Sequence, residues 1–170
     1  MKRVICVVML AVLLSGCIMR DDGYDCKQYT EEEVLAVYDE NAALFTQVAQ
    51  ILINDDDFFY EGRRSKDEYH DAFIDSPYDE NMELFSQGDR EILQKFFELG
   101  PYCIYYDHHE RFIEVDFIGP WTEEDSTALQ FYYWIDQSDR IGLRDYILYK
   151  RHSFDARMWA LENGWYFCTF

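Results

Sequence analysis

Arg111-Phe112-Ile113-Glu114-Val115-Asp116-Phe117-Ile118 is the stretch that decides the fold. Ile113, Val115 and Phe117 alternate with Glu114 and Asp116, and a period of two places the two sets on opposite faces of an extended chain. The pattern predicts a half-buried antiparallel strand. Immediately upstream, Tyr102 to Tyr106 reads as its partner, with Asp107-His108-His109-Glu110 as the turn, and Gly119-Pro120 reads as the break that follows. Ala128 to Ile135 gives a third strand, Asp136 to Arg140 turn material, and Gly142 to Lys150 a fourth strand. Arg157 to Leu161 and Trp165 to Phe170 close the chain around Glu162-Asn163-Gly164, and Asn-Gly between two apolar runs is a strong hairpin signal.

Upstream of residue 100 the period is helical. Thr30-Glu31-Glu32-Glu33 is a capping box, in which the Thr30 hydroxyl takes the Glu33 amide and the Glu33 carboxylate returns to Thr30. Leu35, Tyr38, Ala42, Phe45, Ala49 and Leu52 then recur in steps of three and four, widened by Val34, Val37, Leu44, Val48 and Ile51. So broad a stripe predicts burial against a sheet. Asn54 and Asp55-Asp56-Asp57 end this helix. A second runs from about Gln87 to Leu99, with Ser86 as N-cap and Gly100-Pro101 as a stop. Phe58 to Phe85 reads as a long connection with small elements, Tyr69 to Ile74 among them as a helical turn, and is a candidate site by position only.

The expected architecture is α+β, with two N-terminal helices packed on a five- or six-stranded antiparallel meander over residues 30–170. This layout is similar to cystatin-like and NTF2-like folds, a likeness that implies a helix lying across a curved sheet and no particular function.

The first seventeen residues follow a different logic. Lys2 and Arg3 lead into an apolar run from Val4 to Leu14, too short for the ~20 residues of a spanning helix, and small residues follow, as in a secretory signal peptide. Leu14-Ser15-Gly16-Cys17 resembles the lipobox of bacterial lipoproteins. The resemblance covers this leader alone. It implies cleavage after Gly16, a diacylglycerol on the Cys17 sulfur, and a lipid-anchored protein on the extracytoplasmic face of the cell membrane. The expected division is then a leader over 1–16, the lipidated cysteine and a tether over 17–29, and one domain over 30–170. A free tether of a dozen residues would reach ~40 Å.

Loss of the leader removes Lys2 and Arg3 and lowers the formal net charge from −19 to −21. Phosphate backbones require a basic patch, so a nucleic-acid partner is excluded. Anionic headgroups would repel the same surface, so lipid rather than charge must hold the protein at a membrane. Apolar residues at 49% and aromatics at 18% provide for a packed core despite the charge. Of five cysteines, Cys26, Cys103 and Cys168 remain beyond Cys17. The compartment permits a disulfide, and Cys103 with Cys168 is the candidate pair, two separately buried thiols being the alternative.

Motifs for chemistry are few. Asp55-Asp56-Asp57 with Glu61 fails the alternate spacing of a calcium loop, because Phe59 and Tyr60 stand in its middle. His108-His109-Glu110 are adjacent residues in a turn and point different ways, which reads as a solvated turn rather than a metal site. No nucleophile elbow, phosphate loop or dinucleotide fingerprint occurs, so no cofactor is expected. Carboxylates are too abundant for any pair to stand out. The aromatics are more informative. Tyr105, Tyr132, Tyr133 and Trp134 are the candidate binding surface, since consecutive rings in a strand line both of its faces. The expected function is a non-catalytic envelope module that binds a protein, peptide or glycan. The alternatives are a tethered carboxylate-based hydrolase, or an immunity-type protein that neutralises a basic toxin.

Overall fold

The computed structural model describes residues 18–19, 24–54, 71–107, 111–121, 126–135 and 157–169. The leader with Cys17, the acidic run with Glu61, His108 to Glu110 and the Gly142 to Lys150 segment lie outside the described residues.

The capping box forms as the sequence predicts. The Thr30 amide donates to Glu33 Oε2 at 2.8 Å and the Glu33 amide donates to Thr30 Oγ1 at 3.3 Å. The Thr30 amide, and the Thr30 hydroxyl donating to the same carboxylate oxygen at 2.9 Å, hold the Glu33 pKa below its usual range. These bonds open helix α1, Glu31–Asn54, which kinks at Asn41. There the side-chain amide donates to the Val37 carbonyl at 2.9 Å, competing with the helical ladder. Val34, Tyr38, Leu44, Phe45, Val48, Ala49 and Leu52 are its buried residues. Ser86 caps helix α2, Gln87–Phe97, through the Asp89 amide. Beyond it Gly100 takes a φ of 81°, a left-handed conformation that favours glycine.

Both helices cover one face of a six-stranded antiparallel sheet. Its strands are β3 (Asp71–Ile74), β4 (Cys103–Asp107), β5 (Phe112–Trp121), β6 (Ser126–Trp134), β7 (Arg157–Ala160) and β8 (Trp165–Thr169), in the spatial order β3-β4-β5-β6-β8-β7. A separate two-stranded ribbon joins β1 (Ile18–Met19) to β2 (Asp25–Cys26). The fold is α+β, with a six-stranded sheet. Among the described residues it departs from a simple meander at its end, because β8 rather than β7 pairs with β6 and β7 comes last in the order. The turn between them places Asn163 and Gly164 at φ of 56° and 84°, the backbone that an Asn-Gly signal anticipates.

Ile113, Val115 and Phe117 meet Leu129, Phe131, Trp165 and Phe167 on the helix side, forming one core with α1 and α2. Phe45 is its hub. Its ring lies 4.9 Å from Phe96, 5.0 Å from Tyr38, 5.1 Å from Phe131 and 5.4 Å from Trp165, so one side chain links both helices to β6 and β8.

Three expectations are corrected. Tyr69 to Ile74 holds no helical turn in its described part: residues 71–74 form edge strand β3, paired with β4 from Asp71↔Asp107 to Ile74↔Ile104. Gly119-Pro120 does not end its strand. β5 continues to Trp121 through a register shift after Ile118, the kind of irregularity that lets a ladder tolerate proline. The described part of 17–29 is not a free tether. Tyr24 and Cys26 are buried in the core, and the Tyr24 hydroxyl lies 2.9 Å from the carbonyl oxygens of both Phe97 and Pro101. The Tyr29 amide donates to the Ile118 carbonyl at 2.9 Å, and its hydroxyl donates to the Leu99 carbonyl. Carbonyls where α2 ends need donors: Lys27 and Tyr29 supply those of Glu98 and Leu99, and Tyr24 adds to the Gly100 amide at Phe97.

Candidate functional site

The face of the sheet turned away from the helices carries the chemistry-bearing residues. Register aligns them in cross-strand rows. Phe73, Tyr105, Glu114, Tyr132 and Tyr166 form one, and Cys103, Asp116, Gln130, Cys168 and Met158 form the next. Phe112, Tyr132, Trp134, Tyr166 and Cys168 make a second buried cluster here, with Tyr105 and Met158 packed against it. The sheet therefore has a core on each side.

Glu114 sits in the middle of this layer at 7% exposure. Two residues along the same strand, and so on the same face, is Asp116. Gln130 on β6 joins them. Its Nε2 donates to Glu114 Oε1 at 2.5 Å and to Asp116 Oδ1 at 2.7 Å, while its Oε1 accepts from the Tyr132 hydroxyl at 2.9 Å. A primary amide has two N–H groups and one carbonyl, so a glutamine meets two carboxylates and a phenol with every atom engaged. The Cys103 thiol donates to the other Asp116 oxygen at 3.5 Å. Cys168, next to Gln130 on β8, has its thiol pKa pushed up to about 12, first by burial and second by the Glu114 charge.

The two distances from one nitrogen cap the separation of these carboxylate oxygens at about 5 Å, close to the spacing of a nucleophile and acid in retaining glycoside cleavage. Their surroundings differ from such a site. Gln130 engages one oxygen of each, and aromatic rings pack around them. Phe112 lies 5.6 Å from Tyr132 and 6.1 Å from Trp134, stacked on the latter at 9°. The pair is a polar element of the sheet's second core.

The sequence-derived candidates separate in the structure. Tyr105, Tyr132 and Trp134 share the outer face, whereas Tyr133 points to the helix side and packs 5.3 Å from Trp165. Strand alternation forbids four such residues from forming one surface. Tyr132 at 2% and Trp134 at 7% exposure are interior residues, which corrects the expectation of a binding surface. Cys103 and Cys168 are both buried thiols, not joined to each other. They share a row and a face, but β5 and β6 stand between them, so three strand spacings hold their backbones ~14 Å apart against the ~4–7 Å a disulfide spans. That corrects the expected pairing. Among the described residues no group of three His, Cys, Asp or Glu side chains is arranged to hold a metal ion. Cys17 lies outside the described residues.

Hollows in the described surface lie elsewhere. One of about 360 Å³ lies between α1 and the segment before it, lined by Lys27, Tyr29, Glu33, Ala36, Val37 and Glu40. Its neighbour of about 520 Å³ is lined by Glu31, Glu32, Leu35, Ala36 and Asp39. Both share Ala36 and are rimmed by carboxylates of the first turns of α1, an acidic surface with a short apolar floor. Glu31 is bound by Arg157 at 2.9 Å, while Glu32, Asp39 and Glu40 are exposed.

Sequence reasoning missed Gln130. A glutamine between Leu129 and Phe131, in phase with Glu114 and Asp116 on the neighbouring strand, was the available signal. In comparisons with known proteins, the chain matches no family model, no curated protein and no solved structure.

Proposed function

We propose that this protein is a lipid-anchored, extracytoplasmic binding module of the cell envelope, and that it presents the acidic outer side of α1 to a cationic protein or peptide. The observation that supports this best is the distribution of side chains. Tyr132, Trp134 and Glu114 are enclosed on the outer face of the sheet and Phe131 and Trp165 on the helix side, while Glu32, Asp39 and Glu40 stand exposed around shallow hollows on α1. A surface of this kind steers an oppositely charged partner and offers it a small apolar footing. The lipobox-like leader supplies the location, and the formal charge of −19 in the whole chain supplies the sign of the partner. An immunity-type protein against a basic toxin is one member of this class.

The test is crosslinking and pull-down of the tagged full chain from native membranes. Cys17→Ala serves as the anchor control and Glu32→Lys/Asp39→Lys/Glu40→Lys as the surface control. One stoichiometric partner with a basic surface, retained by the wild type and lost at raised salt and in the triple variant, is expected. A partner that ignores both salt and charge reversal overturns the assignment of this face.

A further inference from the structure

We infer that, once anchored, the domain stands directly on the bilayer on the pole where α2 ends, with no flexible tether between lipid and fold. This rests on the lipoprotein reading of Cys17 and goes beyond it by fixing an orientation. Ile18 pairs with Cys26 and Met19 with Asp25 in the β1–β2 ribbon. Cys26 is fully buried in the main core. Cys17 is one Cα step of ~3.8 Å from Ile18, and Ile18 lies one antiparallel ladder spacing of ~5 Å from Cys26. Ile18, the residue that follows the lipid-bearing cysteine in the chain, is therefore held one ladder spacing of ~5 Å from a core residue, where a free tether would have reached ~40 Å.

The ribbon's second strand is fastened at the same pole. Tyr24 engages the Phe97 and Pro101 carbonyls, Lys27 Nζ donates to the Glu98 carbonyl at 3.1 Å, and Gln28 bridges to Ile118. This pole joins the end of α2, Tyr102 and the Ile118–Trp121 end of β5. Tyr102 is 39% exposed there, and a phenol suits the headgroup level, where one end of a side chain meets lipid and the other water. Glu162 lies at the opposite pole, next to the Trp165↔Tyr133 pair, five residues along β5 from Ile118 and so ~17 Å away along the strand.

The test uses the full lipidated chain, reconstituted in phosphatidylcholine vesicles that carry a nitroxide-headgroup lipid. A fluorophore is placed at Tyr102→Cys or Glu162→Cys, with Glu98→Cys, whose side chain is exposed, as a second near-pole site. The native thiols Cys26, Cys103 and Cys168 are buried and stay unlabelled. Quenching at the near-pole sites is expected to exceed that at Glu162→Cys about threefold, given the ~17 Å between poles. A ten-residue Gly/Ser insert between Cys17 and Ile18 is expected to abolish the difference. Equal quenching at both poles of the uninserted, vesicle-bound protein overturns the orientation while leaving the anchor intact. A mature chain whose mass shows no lipid on Cys17 overturns the lipoprotein reading and the orientation together, so the two failures are told apart.

Discussion

Replacing Phe45 by alanine tests the central claim about how this chain is held together. The ring is fully buried and lies within 5.4 Å, centroid to centroid, of Tyr38, Phe96, Phe131 and Trp165. Phe→Ala in a core costs about 3–5 kcal/mol, the larger values falling where rigid neighbours cannot collapse into the space. Here the neighbours are aromatic and come from four different elements, so the upper end, about 4–5 kcal/mol, is expected. Against a total stability of about 5–15 kcal/mol this is a large fraction. The assay is urea unfolding of the chain lacking residues 1–17, followed by tryptophan fluorescence. With a slope of about 2 kcal/mol per molar, the midpoint falls by about 2 M while the slope is unchanged. Phe73, 40% exposed on edge strand β3, is the control, and its alanine variant costs under about 1 kcal/mol. A Phe45→Ala loss no larger than the Phe73→Ala loss would refute the packing of α1 across the sheet.

Gln130→Leu removes the amide shared by Glu114 and Asp116 and is expected to cost about 2–4 kcal/mol, read as a lower melting temperature. Gln130→Glu is expected to be at least as damaging at pH 7 but to recover at pH 5, where a protonated carboxyl can donate; equal losses at both pH values would count against the shared bond. Tyr24→Phe deletes the hydroxyl that caps the end of α2, costing about 1–2 kcal/mol and opening the N-terminal ribbon to limited proteolysis. An intact ribbon would show that Tyr24 does not fasten it. Burial pushes the Cys168 thiol up from 9.0 to about 12, and burial, with the nearby charges of Glu162 and Asp39, pushes the Tyr38 phenol up from 10.0 to about 12. A folded-state pKa above the unfolded one gives stability that is complete below the unfolded value and declines as pH rises. The protein should therefore lose stability between about pH 9 and 12, and Cys168→Ala should flatten the lower part of that fall. An unchanged alkaline profile in Cys168→Ala would remove the thiol from the account.

Local signals were legible wherever one residue type has one structural use. Thr30 with Glu33, Ser86 with Asp89, Gly100 beyond α2 and Asn163-Gly164 each satisfy a particular backbone need, and each forms as read. The alternation in residues 112–118 was equally plain, because a period of two survives any tertiary context. Readings failed where a remote partner decides the outcome. β3 has few residues and no marked pattern, and it is a strand because β4 offers it an edge. Gly119-Pro120 would stop a lone strand, but the register shift absorbs it. Tyr24 to Tyr29 looks like linker until the open carbonyls of α2 are placed beside it, some seventy residues away in sequence. The candidate site was half legible. Tyr105, Tyr132 and Trp134 share a face as the period requires, yet their burial depends on what packs over that face, which no local pattern reveals.

The two-sided sheet also explains how so acidic a chain can be so aromatic. Charge repels charge at the surface and weakens the compact state. The strands offset this by burying rings on both faces rather than one, with β6 contributing Phe131 to one core and Tyr132 and Trp134 to the other. Such a sheet cannot exchange its outer face for a ligand without losing half its packing. Glu32, Asp39 and Glu40 on the helix exterior, where the proposed partner would bind, are exposed at no cost to the core. Each single charge reversal there should leave the melting temperature within a degree or two of wild type, since an exposed substitution falls within about 0.5 kcal/mol. A stable variant that has lost its partner would locate function on α1; a variant that loses stability and partner together would show that the acidic face is part of the fold rather than an addition to it.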